Sequence, residues 1–237
     1  MNKLKIYCTT SDNYHHALKV FCHTFNKFWG NEWEVVVLGY KTPEFDLPVN
    51  FSFVSMGTQT GPDDWSNDLK KYFESIDEEY FIYIMEDQFI IRPINFNILK
   101  ALMEVVKDDG VDRVDLTNDM IVNHSGIYKG VIPYKKINDI NIYKLDPKSD
   151  YIVNTQASIW PTKQFIKYLQ PNFSPWEFEV TNSENVRNTD VLVLGTIENE
   201  GVCVHKIEGV RVNNINHLNL NGLDHETIKE LVEKKIV

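Results

Sequence analysis

Short apolar runs alternate with amphipathic stretches along the first half of the chain. The apolar runs have the length of buried strands and end at turn-forming residues. Between them, apolar residues recur at steps of three and four, as they do on one face of a helix. Strands are predicted at residues 4–10, 32–40, 51–56, 80–90 and 111–117, and helices at residues 12–29, 65–76 and 95–110. This order predicts an α/β fold with a Rossmann-like, mostly parallel central sheet and helices on both faces.

The second half of the chain is less regular. Residues 118–150 are rich in Asn, Asp, Lys and Tyr without a clear period, so we expect a long excursion that contains a small antiparallel hairpin. Ser174 is a suitable N-cap, and Pro175 suits the first position of the helix that follows it. Further strands are predicted at residues 151–160, 191–197 and 201–207, and helices at residues 161–170, 174–187 and 225–236. We expect a single domain over residues 1–237 with a smaller irregular region in its second half.

Charge and cysteine content narrow the choice of partners and compartment. The chain carries 34 acidic and 24 basic side chains, a formal charge of −10, which repels nucleic acid and anionic membranes at long range. No 18 apolar residues run together, and the amino terminus has no signal-peptide pattern. The scattered Cys8, Cys22 and Cys203 are typical of reduced thiols. We therefore expect a cytoplasmic protein whose contact with any membrane is peripheral.

An acid pair lies near the end of the strand predicted at residues 80–90, "YFIYIMEDQFI". Burying an unpaired carboxylate is costly, so Glu86 and Asp87 need an explanation. Ligands of open α/β sheets bind at the carboxyl ends of strands, where carboxylates suit Mg²⁺ or Mn²⁺ that bridge to substrate phosphates. Because adjacent residues of a strand point opposite ways, we expect Asp87 to face the metal and Glu86 to turn toward a neighbouring loop or helix. The alternative is an exposed strand end with solvated acids.

Four motifs, in order along the chain, carry a resemblance to a known family. They are "WSNDL" at residues 65–69, "MEDQF" at residues 85–89, "TQASIW" at residues 155–160 and "SPWEFE" at residues 174–179. On these motifs the chain resembles the GT-A glycosyltransferases, and more specifically a family of small bacterial and phage glycosyltransferase-like proteins. The resemblance implies a GT-A-like fold and an inverting transfer of a sugar from a nucleotide-sugar donor to an acceptor hydroxyl, assisted by Mn²⁺ or Mg²⁺.

The resemblance also implies where the donor binds. Residues 1–117 would form the nucleotide-sugar-binding half, and residues 118–237 the acceptor-binding half. The loop after the first strand would hold the base and ribose, and Lys70 on the WSNDL helix could reach a phosphate. The residues expected at the donor are Thr9, Thr10, Asp12, Ser66, Lys70 and Asp87, with Asp87 and Glu86 as the metal ligands.

An inverting transfer needs a base that takes the proton of the acceptor hydroxyl. Glu177 and Glu179 follow Ser174 in the first turn of a predicted helix, where the helix dipole favours a carboxylate. Because the family's pattern ends on the second of these acids, we predict Glu179 as the base and Glu177 as the second choice. The alternative is a capping role, since Glu177 lies three residues after Ser174.

The acceptor is expected to contact three further residues. Gln156 could hydrogen-bond an acceptor hydroxyl, and Trp160 and Trp176 could stack on a sugar ring, with core packing as the alternative for both tryptophans. We expect the acceptor to be a glycan or a lipid-linked sugar. A hydroxymethylated base in phage DNA is less favoured because of the negative charge.

Two other functions stay open. GT-A enzymes often have a second acid two residues after the first, where this chain has Gln88. That departure keeps a catalytically inactive nucleotide-sugar-binding protein in consideration. A nucleotidyltransferase is the other alternative, but "CTTSDNYHH" at residues 8–16 lacks the glycine-rich, basic loop that would hold a triphosphate.

Overall fold

Strands and helices alternate along the chain, which the computed structural model describes at residues 3–117, 127–197, 209–212, 215–218, 220 and 222–237. Within these ranges the strands are β1 (Ile6–Thr9), β2 (Val35–Gly39), β3 (Phe51–Ser55), β4 (Tyr80–Met85), β5 (Arg113–Asp115), β6 (Val131–Ile137), β7 (Ile140–Leu145), β8 (Ser158–Pro161), β9 (Val193–Gly195), β10 (Gly209–Val212) and β11 (Ile215–Leu218). The helices are α1 (His15–Phe28), α2 (Trp65–Phe73), α3 (Phe96–Val105), α4 (Thr162–Tyr168), α5 (Pro175–Val186) and α6 (His225–Glu233). The predicted α/β class is confirmed.

The chain forms two compact units. The first comprises Met1–Gln59, Ile84–Ile94 and Cys203–Val237, and the second comprises Thr60–Tyr83 and Asn95–Val202. Their bounds differ from the two halves predicted to meet at residue 117, because β4 contributes its first part to the second unit and its last residues to the first. The single domain over residues 1–237 stays a prediction.

Parallel strands in the order β3-β2-β1 form the frame of the first unit. Val35 of β2 lies opposite Ile6 on one side and Phe51 on the other. All four residues of β1 are buried, as is typical of a parallel strand covered on both faces. This unit therefore has the Rossmann-like pairing that the sequence pattern predicts.

Helix α1 packs its predicted apolar face into the first unit. Leu18, Phe21 and Phe25 are fully buried. After the helix, the N–H of Gly30 donates to the carbonyl of Phe25 over 3.1 Å, and Gly30 has a φ of +110°. Glycine adopts this conformation without the strain of a side chain, so Gly30 suits the position at which the chain leaves the helix.

The strand order in the second unit is β4-β8-β5-β9-β7-β6. The β5–β9 pair is parallel, whereas the β4–β8, β5–β8, β7–β9 and β6–β7 pairs are antiparallel. The sheet of this unit is therefore mixed. Only the last part of the strand predicted at residues 151–160 forms β8, because the residues before Ser158 make turns.

Strands β6 and β7 form the predicted hairpin. Ile137 pairs with Ile140, and the two residues between them, Asn138 and Asp139, have φ values of 46° and 70°. Asn and Asp tolerate this left-handed conformation, which a two-residue hairpin turn requires. Residues 118–126 of the expected excursion lie outside the described residues.

A cluster of aromatic rings forms the core of the second unit. The Phe165 ring lies 5.1 Å from the Trp160 ring and 6.0 Å from the Phe178 ring, measured between centroids. All three side chains are fully buried. Rings at such separations pack favourably beyond the area they bury, so the cluster fixes α4 and α5 against β8.

The carboxyl-terminal segment differs in part from its prediction. The sequence pattern did not predict the antiparallel β10–β11 pair, and the strand predicted at residues 201–207 lies outside the described residues. Helix α6 buries Thr227 and Leu231. Val232 is 57% exposed, because the buried face of the helix runs through Thr227 and Leu231.

Two cysteines are described, Cys8 and Cys22, and both are buried free thiols. Burial raises the pKa of each thiol, so neither is suited to act as a nucleophile. Cys203 lies outside the described residues. Among the described helices, none has the length and apolar content needed to cross a bilayer.

Candidate functional site

The acid pair lies in the turn that follows β4, at an edge of the first unit. β4 ends at Met85, so Glu86 and Asp87 are beyond the strand rather than within it. Glu86 is 3% exposed, and its N–H donates to the carbonyl of Thr9 over 3.2 Å. Its carboxyl group accepts hydrogen bonds from the backbone of Ser11 and the side chain of Thr10. Glu86 therefore turns toward the loop after β1, and Asp87 is the less buried of the pair.

Burial raises the pKa of Glu86 well above the ordinary range of a glutamate. The neighbouring Asp87 raises it further, and the hydrogen bonds to the carboxyl group only partly oppose these effects. Oε2 of Glu86 is buried and has no hydrogen-bond partner among the described residues. A carboxyl group in this position is stabilised either by a proton or by a cation.

The loop after β1 holds the other predicted donor residues of this unit. Thr9 and Thr10 are 3% and 5% exposed, and Thr10 already bonds Glu86. Oδ1 of Asp12 accepts from the N–H of Lys41 over 2.9 Å, and the Asp12 N–H donates to Oε1 of Gln59 over 3.2 Å. The loop is therefore tied on both sides.

Neither residue at the start of this loop caps α1 through its side chain. Ser11 precedes a short 3-10 turn at Asp12–Tyr14, and Tyr14 precedes α1, with no side-chain cap at either place. Ser11 and Asp12 are the polar residues that precede α1, but the Asp12 carboxylate accepts from the N–H of Lys41 instead.

The acid pair has the chemistry for a divalent cation, although it is small. Carboxylate oxygens suit Mg²⁺ and Mn²⁺, which commonly use one or two protein carboxylates and complete their shell with substrate phosphates and water. The unpartnered Oε2 of Glu86 beside Asp87 fits such an ion. Among the described residues, no group of three His, Cys, Asp or Glu side chains could hold a metal by itself. Gln88 occupies the place of a further acid and is buried.

Ser174 and Glu177 form a capping box at the start of α5, in the second unit. Oε2 of Glu177 accepts from the N–H of Ser174 over 2.8 Å, and the N–H of Glu177 donates to Oγ of Ser174 over 3.3 Å. The backbone and then the side chain of Ser174 lower the pKa of Glu177. This corrects its place as second choice for the base, because its carboxylate caps the helix and is a weaker base than an ordinary glutamate.

Glu179 points its carboxylate at the loop before β8. Oε1 accepts two hydrogen bonds of 2.7 Å, one from the N–H of Thr155 and one from its hydroxyl. Oε2 makes no hydrogen bond within the described part of the chain. The side chain is half-buried, so one oxygen is fixed while the other is available.

A buried polar network around Arg113 also holds the loop before β8. Arg113 is fully buried, and it donates to Oδ1 of Asn154, to Oγ of Ser158 over 3.2 Å and to Oδ2 of Asp115 over 3.1 Å. Oδ1 of Asn154 also accepts from the N–H of Gln156 over 3.1 Å. Sequence reasoning missed this network, whose signal is an Arg and an Asp inside the buried strand "VDRVDLT".

The predicted acceptor residues have different environments. Trp176 is 69% exposed and can present its ring to a ligand. Oε1 of Gln156 is buried and has no hydrogen-bond partner among the described residues. Trp160 is fully buried in the aromatic core, so its assignment as a stacking platform is corrected: no face of the ring reaches a ligand.

The predicted donor residues on α2 belong to the second unit. Ser66 is fully buried; its hydroxyl donates to the carbonyl of Gln170 over 2.7 Å and accepts from the N–H of Phe173 over 2.8 Å. Its expected contact with the donor is therefore corrected, because the hydroxyl ties α2 to the segment before α5. Lys70 is half-buried on the same helix.

The comparisons with known proteins give similarity in structure only. No family model and no curated protein matches the chain. The chain is similar to a crystal structure of galactosyltransferase LgtC in complex with donor and acceptor sugar analogs, with 13% identity, a TM-score of 0.40, and 80% of this chain and 67% of that chain covered. It is also similar to the bifunctional IspDF from Campylobacter jejuni, with 14% identity, a TM-score of 0.42, and 94% of this chain and 55% of that chain covered. The chain is likewise similar to an active-site mutant of LgtC, with 14% identity, a TM-score of 0.39, and 77% of this chain and 65% of that chain covered.

This chain therefore spans between 55% and 67% of the length of these proteins. With TM-scores of 0.39 to 0.42, the function has to be argued from the residues of this chain.

Proposed function

We propose that the protein is a glycosyltransferase that moves a sugar from a nucleotide-sugar donor to an acceptor hydroxyl, with inversion and with the help of Mn²⁺ or Mg²⁺. The observation that carries the proposal is the buried carboxyl group of Glu86, whose Oε2 has no partner among the described residues and which lies beside Asp87. A carboxylate that is buried with one oxygen unpartnered is costly, and a cation stabilises it. The sequence resemblance to GT-A glycosyltransferases supports the same assignment.

The first unit contributes the groups for the donor. Asp87 and Glu86 are the proposed ligands of the ion, which when bound would offset the charge that develops on the departing diphosphate. Thr9 ends β1 and Thr10 and Asp12 follow it, and we assign all three to the base and ribose of the nucleotide. The hydrogen bonds that tie Asp12 to Lys41 and Gln59 hold this loop in one conformation before the donor binds.

The second unit contributes the base. Glu179 is held through Oε1 by the two hydrogen bonds from Thr155, so its orientation does not depend on the substrate. Oε2 is left to accept the proton of the attacking hydroxyl. Lys70 is the proposed phosphate contact of this unit.

Two side chains of the second unit are assigned to the acceptor. Trp176 exposes a ring on which a sugar can stack, and the amide of Gln156 offers an unpartnered oxygen to a hydroxyl. We propose a glycan or lipid-linked sugar as acceptor, in preference to a hydroxymethylated DNA base, since the net charge of −10 opposes DNA. The proposed compartment is the cytoplasm.

Thermal unfolding with a panel of nucleotide sugars, with and without Mn²⁺, tests the donor. A ligand that binds only the folded protein raises its stability by about 2.7 kcal/mol at a hundred times its Kd. We expect one nucleotide sugar to raise the Tm strongly with Mn²⁺ and weakly without it. Asp87→Asn should lose the Mn²⁺ dependence, while Asp46→Asn, which changes an exposed acid of the same unit, should keep it. The absence of any shift across the panel would contradict the proposal.

A further inference from the structure

The second unit contains a surface cavity that the proposed reaction does not use. It has a volume of about 400 Å³, within the range of small-molecule sites, and opens to solvent between the end of α4 and the middle of α5. Its lining includes Lys167, Tyr168, Gln170, Phe173, Asn182 and Asn185.

Two amide oxygens of this cavity have a fixed orientation. Nδ2 of Asn182 donates to the carbonyl of Tyr168 over 2.9 Å, and Nε2 of Gln170 donates to the carbonyl of Lys167 over 2.6 Å. A carbonyl can only accept, so in each amide the nitrogen must face the backbone and the oxygen is left free to accept. Asn182 is 3% exposed and lines the cavity.

The remaining lining is apolar or supplies donors. The half-buried Phe173 provides the aromatic surface, whereas the Tyr168 ring is 4% exposed and the Lys167 ammonium lies 5.5 Å from its centre. Asn185 is exposed three residues after Asn182, on the same side of α5. None of the described residues that line the cavity is acidic.

This lining selects a class of ligand. The phosphate dianion has a single O–H donor and would leave at least one of the oxygens of Asn182 and Gln170 unpaired. A cation would be repelled by Lys167. A sugar hydroxyl both donates and accepts, and the C–H face of a pyranose packs on an aromatic ring. We infer that this cavity binds an uncharged sugar unit, at a site separate from the proposed donor and acceptor residues.

Ligand-observed NMR on the intact protein tests the inference with methyl glucoside, methyl galactoside and methyl mannoside as probes. At least one glycoside should show saturation transfer. Gln170→Leu should weaken its binding by roughly fivefold, the factor that corresponds to one hydrogen bond. Asn182→Leu should weaken it at least as much, and Lys163→Ala, a change on α4 outside the cavity, should leave it unchanged. Thermal unfolding of each variant checks that it is folded.

Two further arms separate this cavity from other sites. Trp176→Ala removes the proposed acceptor platform and should leave the binding of the glycoside unchanged, and inorganic phosphate should not displace it. The inference is overturned if no glycoside binds, or if the folded Gln170→Leu variant binds like the parent. It is equally overturned if Trp176→Ala alone abolishes binding, because the glycoside would then bind at the proposed acceptor residues. Competition by phosphate would also overturn it, because the cavity would then bind an anion.

Discussion

Replacing Glu179 with Gln separates its proposed chemical role from its structural one. The carboxylate accepts two hydrogen bonds of 2.7 Å from Thr155. An amide oxygen can accept both of them, so the loop before β8 should keep its position. A hydrogen bond to a charged group contributes about 1.5–3 kcal/mol and one between neutral groups about 0.5–1.5 kcal/mol, so each bond should lose about 1–1.5 kcal/mol and the two together about 2–3 kcal/mol.

The effect on transfer should be much larger than the effect on folding. An amide cannot take the proton of the acceptor hydroxyl, and loss of a general base lowers the rate by about 10²–10⁴-fold. Donor affinity should hardly change, since the base contacts the acceptor. The assay measures transfer rate, donor affinity and urea unfolding for Glu179→Gln beside Glu177→Gln, which disturbs only the capping box of α5.

Two results would refute the reasoning about Glu179. If the folded Glu179→Gln variant transfers sugar at a rate near that of the parent, the base is another group and the Thr155 contact is purely structural. If Glu177→Gln is the inactive variant, the assignment is wrong by two residues. An inactive Glu179→Gln with unchanged donor affinity and modest loss of stability is the expected outcome.

Three more predictions follow from the described contacts. Asp87→Asn should abolish the dependence of nucleoside diphosphate binding on Mn²⁺ in calorimetry, and equal metal dependence in variant and parent would contradict the acid-pair site. Arg113→Met should lower the free energy of unfolding, measured by urea denaturation, by about 3–5 kcal/mol, because it leaves the buried Asp115 without its charged partner. A loss below about 1 kcal/mol would show that the pair is not buried as described. Burial lowers the pKa of His23 despite its bond to Glu230, so the unfolded chain binds the His23 proton more readily than the folded protein does. The free energy of unfolding should therefore fall as the pH drops below 6.5, the ordinary pKa of histidine. His23→Gln should flatten that part of the curve of stability against pH.

The sequence was most informative where local chemistry decides the structure. The apolar period of α1 predicted its buried face, and Ser174 followed by Pro175 predicted both the start of α5 and its cap. The apolar run before Glu86 and Asp87 located the acid pair, although the strand ends at Met85, and the expectation that Glu86 turns toward a neighbouring loop agrees with its contact with Thr10. These features depend on a few consecutive residues and on general rules of capping and burial.

Other features depend on contacts between distant residues, which a single sequence does not display. Ser66 and Trp160 look like ligand contacts on their motifs, yet both are fully buried. Ser66 bonds Gln170, 104 residues away, and the Arg113 guanidinium lies over the Trp160 ring. The partner of Glu179, Thr155, lies 24 residues earlier, and the Arg113–Asn154 contact spans 41 residues. No pattern of spacing predicts such pairs.

The most direct test of the central claim is the product released from a nucleotide sugar in the presence of a glycan acceptor and Mn²⁺. The account predicts that the parent releases nucleoside diphosphate together with a glycosylated acceptor. Omission of the metal, Asp87→Asn and Glu179→Gln should each reduce the release, while Asp46→Asn should not. Release of a sugar 1-phosphate would instead indicate transfer of the nucleotidyl group, as by a nucleotidyltransferase. If nucleotide sugars bind but are never turned over with any acceptor, the protein binds sugar nucleotides without transferring them, and the account is contradicted.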